Sequence, residues 1–450
     1  MRKANSYFTL LLKSKISVSN FNLKRFLSLD FESLYYYNLR GLSMVREKIV
    51  LFIVIFTLII PMGASCIESN QRVSINEFII TDNIPKGEAV LRSNEGYNWW
   101  SYVPESLQKQ NLSYILLEES HAQIEDYEDL TIDAALNINK YIPVAEAKQY
   151  ILVTVVIPRD FDEDYYPQGI NYNSFRSSTP DFYYRPDLKV NNILSEFVAN
   201  LTAAGYTVSD KMLVAGFSAG GMWANRYTLL HPERVKAAAM GQAGGWLAMP
   251  ITEFNGTALN WPMGVNDLNS LTGTAYTKQE VLKEVPQYVF IGDQDTASTY
   301  YSILYPNLEE IKIWGMTDSN RLENQSNYLI DAGYNVNFKL YPGIAHSYTA
   351  EMLNDVKAFF DSITTIDSDG DGLTNDEELY LYETNPDNPD TDGDSCSDYD
   401  EINLGTDPNN PEDYPETSNP SSETPGFTFL IATVVLISAS KFTIFFRNKR

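Results

Sequence analysis

Three side chains far apart in the sequence have the types needed to attack a carbonyl: Ser218, His346, and an aspartate in Gly292-Asp293-Gln294-Asp295. A serine hydroxyl is a weak nucleophile until a base takes its proton. An imidazole serves as that base when a carboxylate fixes its tautomer and orientation. Ser218 sits in Gly216-Phe217-Ser218-Ala219-Gly220, after the apolar run Met212-Leu213-Val214-Ala215 and before a helical stretch of small and apolar residues. A buried strand, Gly-x-Ser-x-Gly and a helix start, in that order, specify a sharp turn that lifts the serine above the edge of a sheet. The positions two before and two after the serine cannot carry bulk, and both are glycine. The helix then points the positive end of its dipole at the place where negative charge develops during acyl transfer.

The sequence contains only three histidines, which narrows the choice of base. His231 stands before Pro232 at the end of a helical stretch and reads as a surface or capping residue. His121 follows an early strand, ahead of the serine. His346 lies in the turn Pro342-Gly343-Ile344-Ala345-His346-Ser347, after the last expected strand. The chain order serine, acid, histidine places the acid between 218 and 346. Asp293 and Asp295 both qualify, and Asp295 is favoured because it lies farther into its loop and is free to turn back.

These residues must be carried by alternating strands and helices. Strands are expected at 73–80, 89–93, 99–103, 113–117, 151–157, 212–217, 235–240, 288–291 and 336–341. The β-branched run 151–157 suits a parallel strand buried on both faces. Helices are expected at 188–204, from Ala219 to 230, at 322–332 and at 350–363. Residues 165–186, with aromatics, Pro and Asn but no helical period, read as a long loop able to line a substrate cleft. Residues 241–273 read as an excursion from the sheet. The alternation predicts an α/β fold, a mostly parallel, doubly wound sheet covered on both faces.

The stretch from Tyr102 to Ile363 resembles the α/β-hydrolases, most closely the esterase and polyhydroxyalkanoate-depolymerase-like branch. The resemblance is carried by Gly216-Phe217-Ser218-Ala219-Gly220-Gly221, His231-Pro232-Glu233-Arg234-Val235, Val285-Pro286-Gln287 with Gly292–Asp295, and Gly343–Ser347. It implies Ser218 as nucleophile, His346 as base, Asp295 as its partner, no cofactor in catalysis, and the Ala219 backbone N–H as one oxyanion donor. The family usually has His-Gly where this chain has His121-Ala122-Gln123. Ala122 is therefore the expected second donor, with a Cβ where the family has none, and His121 belongs to that oxyanion loop. The implied reaction is hydrolysis of a small-molecule or polymeric ester. A peptidase with the same three residues, or a non-catalytic binding protein on the same scaffold, are the alternatives.

A second kind of chemistry follows. Asp367, Asp369, Asp371, Asn375 and Glu378 stand at positions one, three, five, nine and twelve of a cation loop, and the pattern recurs as Asp390, Asp392, Asp394, Asp398 and Glu401. Ser395 replaces the turn glycine of the first copy, which predicts a weaker second site. Hard oxygen donors at this spacing suit Ca²⁺ rather than zinc. The short flanking segments resemble thrombospondin type 3-like calcium repeats, which implies a stiff spacer in a calcium-rich medium and no catalytic part.

The ends of the chain speak to location. Residues 1–43 read as an upstream extension, and 44–66, a charged start and an apolar run closed by small residues, read as a secretory signal. Residues 411–425 read as a flexible stalk. The apolar segment 426–450 ends in Arg447, Lys449 and Arg450 and is expected to reach the membrane. Pro425-Gly426-Phe427 before it resembles the sorting signal of archaeal surface proteins. The expected organisation is a hydrolase domain over 70–364, calcium repeats over 365–410, the stalk and the anchor, on the extracellular face of the cell membrane. Two cysteines, Cys66 and Cys396, exclude a disulfide framework. A formal charge of −26 argues against nucleic acid as a partner.

Overall fold

Alternation along Met212–Phe217 sends Leu213, Ala215 and Phe217 to one face of a sheet and Met212 and Val214 to the other, and both faces are covered. The computed structural model describes residues 84–119, 124, 126–159, 169–296 and 311–415. The chain divides into two units, Met1–Ile363 and Thr364–Arg450. The expected strand at 73–80, the expected signal segment, His121 and Ala122 of the expected oxyanion loop, part of the loop before Pro186, and the expected stalk and anchor from 416 onward lie outside the described residues. Among the described residues no helix is long and apolar enough to cross a membrane.

The first unit is built on an eight-stranded mixed sheet. In chain order the strands are β1 Ala89–Asn94, β2 Tyr97–Tyr102, β3 Ile115–Glu119, β4 Ile151–Val156, β5 Met212–Phe217, β6 Val235–Gly241, β7 Gln287–Gly292 and β8 Val336–Tyr341. Their spatial order is β1-β2-β4-β3-β5-β6-β7-β8. β1 and β2 pair antiparallel, β2 pairs antiparallel with β4, and all pairs from β4 to β8 are parallel. Among the described residues the long helices that flank the sheet are α1 Tyr127–Lys148, α2 Pro186–Ala203, α3 Ala219–Leu230, α4 Asp318–Asp331 and α5 Ala350–Thr364. Side chains of α2, α3 and α4, among them Phe197, Tyr227 and Leu322, form one core. Those of α1 and α5, among them Ile138, Tyr141, Val356 and Phe360, form the other. The sheet is buried on both sides, which is why its central strands read as continuous apolar runs.

Three features add to the sequence reading or correct it. Helix α1 has its N-cap at Asp126, whose side chain accepts from the Glu128 and Asp129 amides. Its buried face mixes Leu130, Ile138 and Tyr141 with three alanines and the polar Thr131 and Asn137, and Pro143 lies inside it, so its periodic signal is weak. Residues 241–273 leave the main sheet after β6, and Leu247, Met249, Leu259 and Trp261 pack into the first core. His231 is not at the surface, since its side chain is 9% exposed, with Nε2 2.9 Å from Asp187 Oδ2 and Nδ1 3.2 Å from Asn191 Nδ2. It joins the end of α3 to the first turn of α2.

Candidate active site

The parallel strands bring their carboxyl ends to one edge, and the candidate side chains leave from β5, β7 and β8 at that edge. Ser218 follows β5 directly and stands at the N-cap of α3 with φ 59° and ψ −118°, a conformation that strains a residue with a Cβ. Neighbouring glycines make the turn possible. A Cβ on Gly216 would lie 2.1 Å from the Gly220 carbonyl oxygen, and one on Gly221 would lie 2.2 Å from the Gly241 oxygen. The Ser218 amide donates to the Gly241 carbonyl at 2.9 Å, which ties the turn to the end of β6. The Ala219 N–H belongs to the first turn of α3, where a helix offers no internal acceptor.

The loops after β7 and β8 are fastened to each other. The Asp293 amide donates to the Tyr341 carbonyl at 3.0 Å, the Gln294 amide to the Ile344 carbonyl at 2.9 Å, and the Gly343 amide to Asp293 Oδ1 at 2.7 Å. A Cβ on Gly292 would collide with the Ile344 oxygen at 2.1 Å, so only glycine permits this closeness. The result holds His346 with Nδ1 3.0 Å from Asp295 Oδ2 and Nε2 3.0 Å from Ser218 Oγ. Asp295 is buried, Ser218 is half-buried, and the His346 side chain is 38% exposed, so the arrangement opens to solvent on the serine side. The Phe217 ring lies 5.3 Å from the imidazole and stacks on Tyr348 at 5.1 Å.

Ser218, Asp295 and His346 are thus brought together, while Asp293 fastens the β8 loop. Ala219 stands beside Ser218, and Ala122 lies outside the described residues. Sequence reasoning missed Gln242, which follows β6 and reaches Asp295 Oδ1 with its Nε2 at 3.3 Å. Nothing in its local sequence, between Gly241 and Ala243-Gly244-Gly245, marks it.

In the second unit the two acidic loops share one hydrogen-bond pattern. Asp367 accepts from the Gly370 and Gly372 amides as Asp390 does from those of Gly393 and Ser395. Asp371 accepts from Leu373 as Asp394 does from Cys396. Side-chain oxygens of Asp367, Asp369 and Asp371 gather within 4.8 Å of one another, and so do those of Asp390, Asp392 and Asp394. Glu378 and Glu401 are fully buried, and one oxygen of each has no hydrogen-bond partner; the same holds for one oxygen each of Asp369, Asp392 and Asp394. Burial, and then the neighbouring aspartates, push both glutamates up to about 7. Of the remaining expected ligands, Asn375 Oδ1 accepts from the Ser368 amide, and Asp398 Oδ1 accepts from that of Thr391.

Residues 367–389 and 390–411 each match the family model of the bacterial TSP3 repeat. No curated protein matches the chain. Among solved structures, poly(aspartic acid) hydrolase-1 from Sphingomonas sp. KT-1 is 18% identical over 62% of this chain and 97% of that one, with a TM-score of 0.41. The poly(3-hydroxybutyrate) depolymerase from Bordetella parapertussis is 18% identical over 62% and 91%, with a TM-score of 0.43. An S-formylglutathione hydrolase from Agrobacterium tumefaciens is 13% identical over 61% and 92%, with a TM-score of 0.36.

Proposed function

We propose that the chain is a serine hydrolase of α/β-hydrolase type that cleaves carboxylic esters through an acyl-enzyme. The observation that carries this reading is the continuous line Ser218 Oγ, His346, Asp295, with both contacts at 3.0 Å and a strained serine at the head of a helix. In acylation His346 Nε2 takes the Ser218 proton as Oγ bonds to the ester carbon, and Asp295 stabilises the imidazolium through Nδ1–H. The tetrahedral oxyanion faces the Ala219 N–H and the positive end of α3, with Ala122 supplying the second donor. His346 returns the proton to the departing alcohol. Water then repeats the sequence on the acyl-enzyme, releasing the acid and restoring Ser218.

Replacing Ser218 by Ala removes the atom that carries the acyl group. Turnover of an aryl ester should fall by several orders of magnitude, and labelling by a fluorophosphonate should disappear; undiminished turnover in the S218A protein would overturn the reading.

The acidic loops are proposed to hold Ca²⁺. Buried, unpartnered carboxylate oxygens are costly alone, and a hard cation offers them the charge and coordination they lack. Asp367, Asp369, Asp371 and Glu378 would hold one ion, and Asp390, Asp392, Asp394 and Glu401 the other, with Asn375 and Asp398 bracing the loops. Together with the secretory and apolar segments read from the sequence, this supports a hydrolase tethered on the outer face of the cell membrane. Loss of surface labelling on deletion of 426–450 tests the tether.

A further inference from the structure

We propose that Gln242 is a positioning residue that sets the Asp295–His346 pair, a role that rests on the serine-hydrolase reading above. Gln242 leaves the carboxyl end of β6 fully enclosed, and its amide extends the sheet by donating to the Phe290 carbonyl at 2.7 Å. Its φ is 47°, the left-handed region that a residue with a Cβ occupies only when its surroundings force it. The side-chain Nε2 lies 3.3 Å from Asp295 Oδ1 and 3.4 Å from Asp318 Oδ2, and a carboxamide NH₂ has one proton for each.

The second carboxylate is anchored in turn. Arg321 Nη2 pairs with Asp318 Oδ1, its Nε donates to the Gly245 carbonyl at 2.8 Å, and its Nη1 donates to the carbonyls of Gly315 at 3.4 Å and Met316 at 3.3 Å. Gln242 therefore links a rigid ion pair on α4 to the carboxylate behind the base. Its contact fixes Asp295 by Oδ1 and leaves Oδ2 for His346 Nδ1.

The chemistry of the position is selective. A neutral double donor fits between two carboxylates without adding charge. A third carboxylate there would repel both, and an alkyl side chain would withdraw a donor from each. Gln242 Oε1 has no hydrogen-bond partner, although the side chain is buried. Leaving a buried acceptor unpaired opposes stability, so the donor end is what the site retains.

The test uses Gln242→Met, which keeps the length and removes the donors, and Gln242→Glu, which adds charge. Full-length protein labelled with ¹⁵N-histidine reports the His346 Nδ1–H resonance, assigned by its loss in His346→Gln. We expect that resonance to shift in Q242M and further in Q242E. We also expect kcat on an aryl ester, per fluorophosphonate-titratable site, to fall about 10- to 100-fold with KM little changed, as displaced catalytic groups do. A merely structural role would reduce the number of titratable sites and leave each at the wild-type rate. An unmoved resonance, or wild-type kcat per site, overturns the proposal. If the wild-type protein turns over no ester, the hydrolase reading falls, and the resonance still decides whether Gln242 sets the pair. Should Q242M not fold, Gln242→Asn, which retracts the amide, is read in the same way.

Discussion

At the scale of single residues, the two aspartates after β7 show how two positions separate roles. Asp293 fastens a backbone amide of the β8 loop, whereas Asp295, buried, faces the imidazole. Asp295→Asn should lower kcat by about 10³- to 10⁴-fold, because an amide favours the wrong tautomer of the base. Asp293→Asn keeps an oxygen acceptor for Gly343 and should leave kcat within about tenfold, a small effect on the same scale. Steady-state kinetics on one ester separates them. Ser395 carries a different strain: its φ is 82°, where the first repeat has Gly372 at 113°. Ser395→Gly should stabilise the second loop by about 1 kcal/mol, read as a higher Ca²⁺ affinity or melting point.

At the scale of elements, the buried His231–Asp187 pair fixes α3 against α2, and Arg185 Nη2 completes it at 2.7 Å from Asp187. Burial alone would raise the Asp187 carboxyl, but the hydrogen bonds from Arg185 and His231 outweigh it and hold the group at about 2. Burial acts to lower His231, and its contacts to Asp187 and Glu233 prevail and raise it. The signs follow from proton linkage. The Asp187 contribution is complete above its unfolded value of 3.8 and is lost as pH falls through about 2. The His231 contribution is complete below 6.5 and is lost as pH rises through its raised folded value. Asp187→Asn should cost about 3–5 kcal/mol, the usual consequence of breaking a buried pair from one side. It should also flatten the melting temperature on both flanks of that window, as calorimetry across pH would show.

At the scale of the whole molecule, the chain is two units with different sources of stability. The larger buries a sheet between two helical layers, and the described residues of the smaller have little apolar core and many carboxylates. A chelator should therefore lower the transition belonging to residues 364–415 and leave that of the first unit in place. Calorimetry with limited proteolysis checks this: chelation should open cleavage within 364–415, and an unchanged fragment pattern would count against bound calcium. Active-site titration should be unaffected by the same treatment.

Much of this could be read before any coordinates. The β5 turn announced itself because its constraint is local: Gly216 and Gly220 flank Ser218 within a few bonds, and steric exclusion there depends only on neighbours. The acidic loops are legible for the same reason, since their ligands lie within a short span and recur in register. What the tertiary structure decided is everything that depends on distant chain segments meeting. It brought Asp295, already favoured over Asp293, against His346, buried His231 on Asp187 from another helix, and drew Gln242 and Asp318 up behind Asp295. Those contacts arise from strand order and from the fastening of two loops, and the linear pattern around each residue does not fix a contact with a partner more than forty positions away.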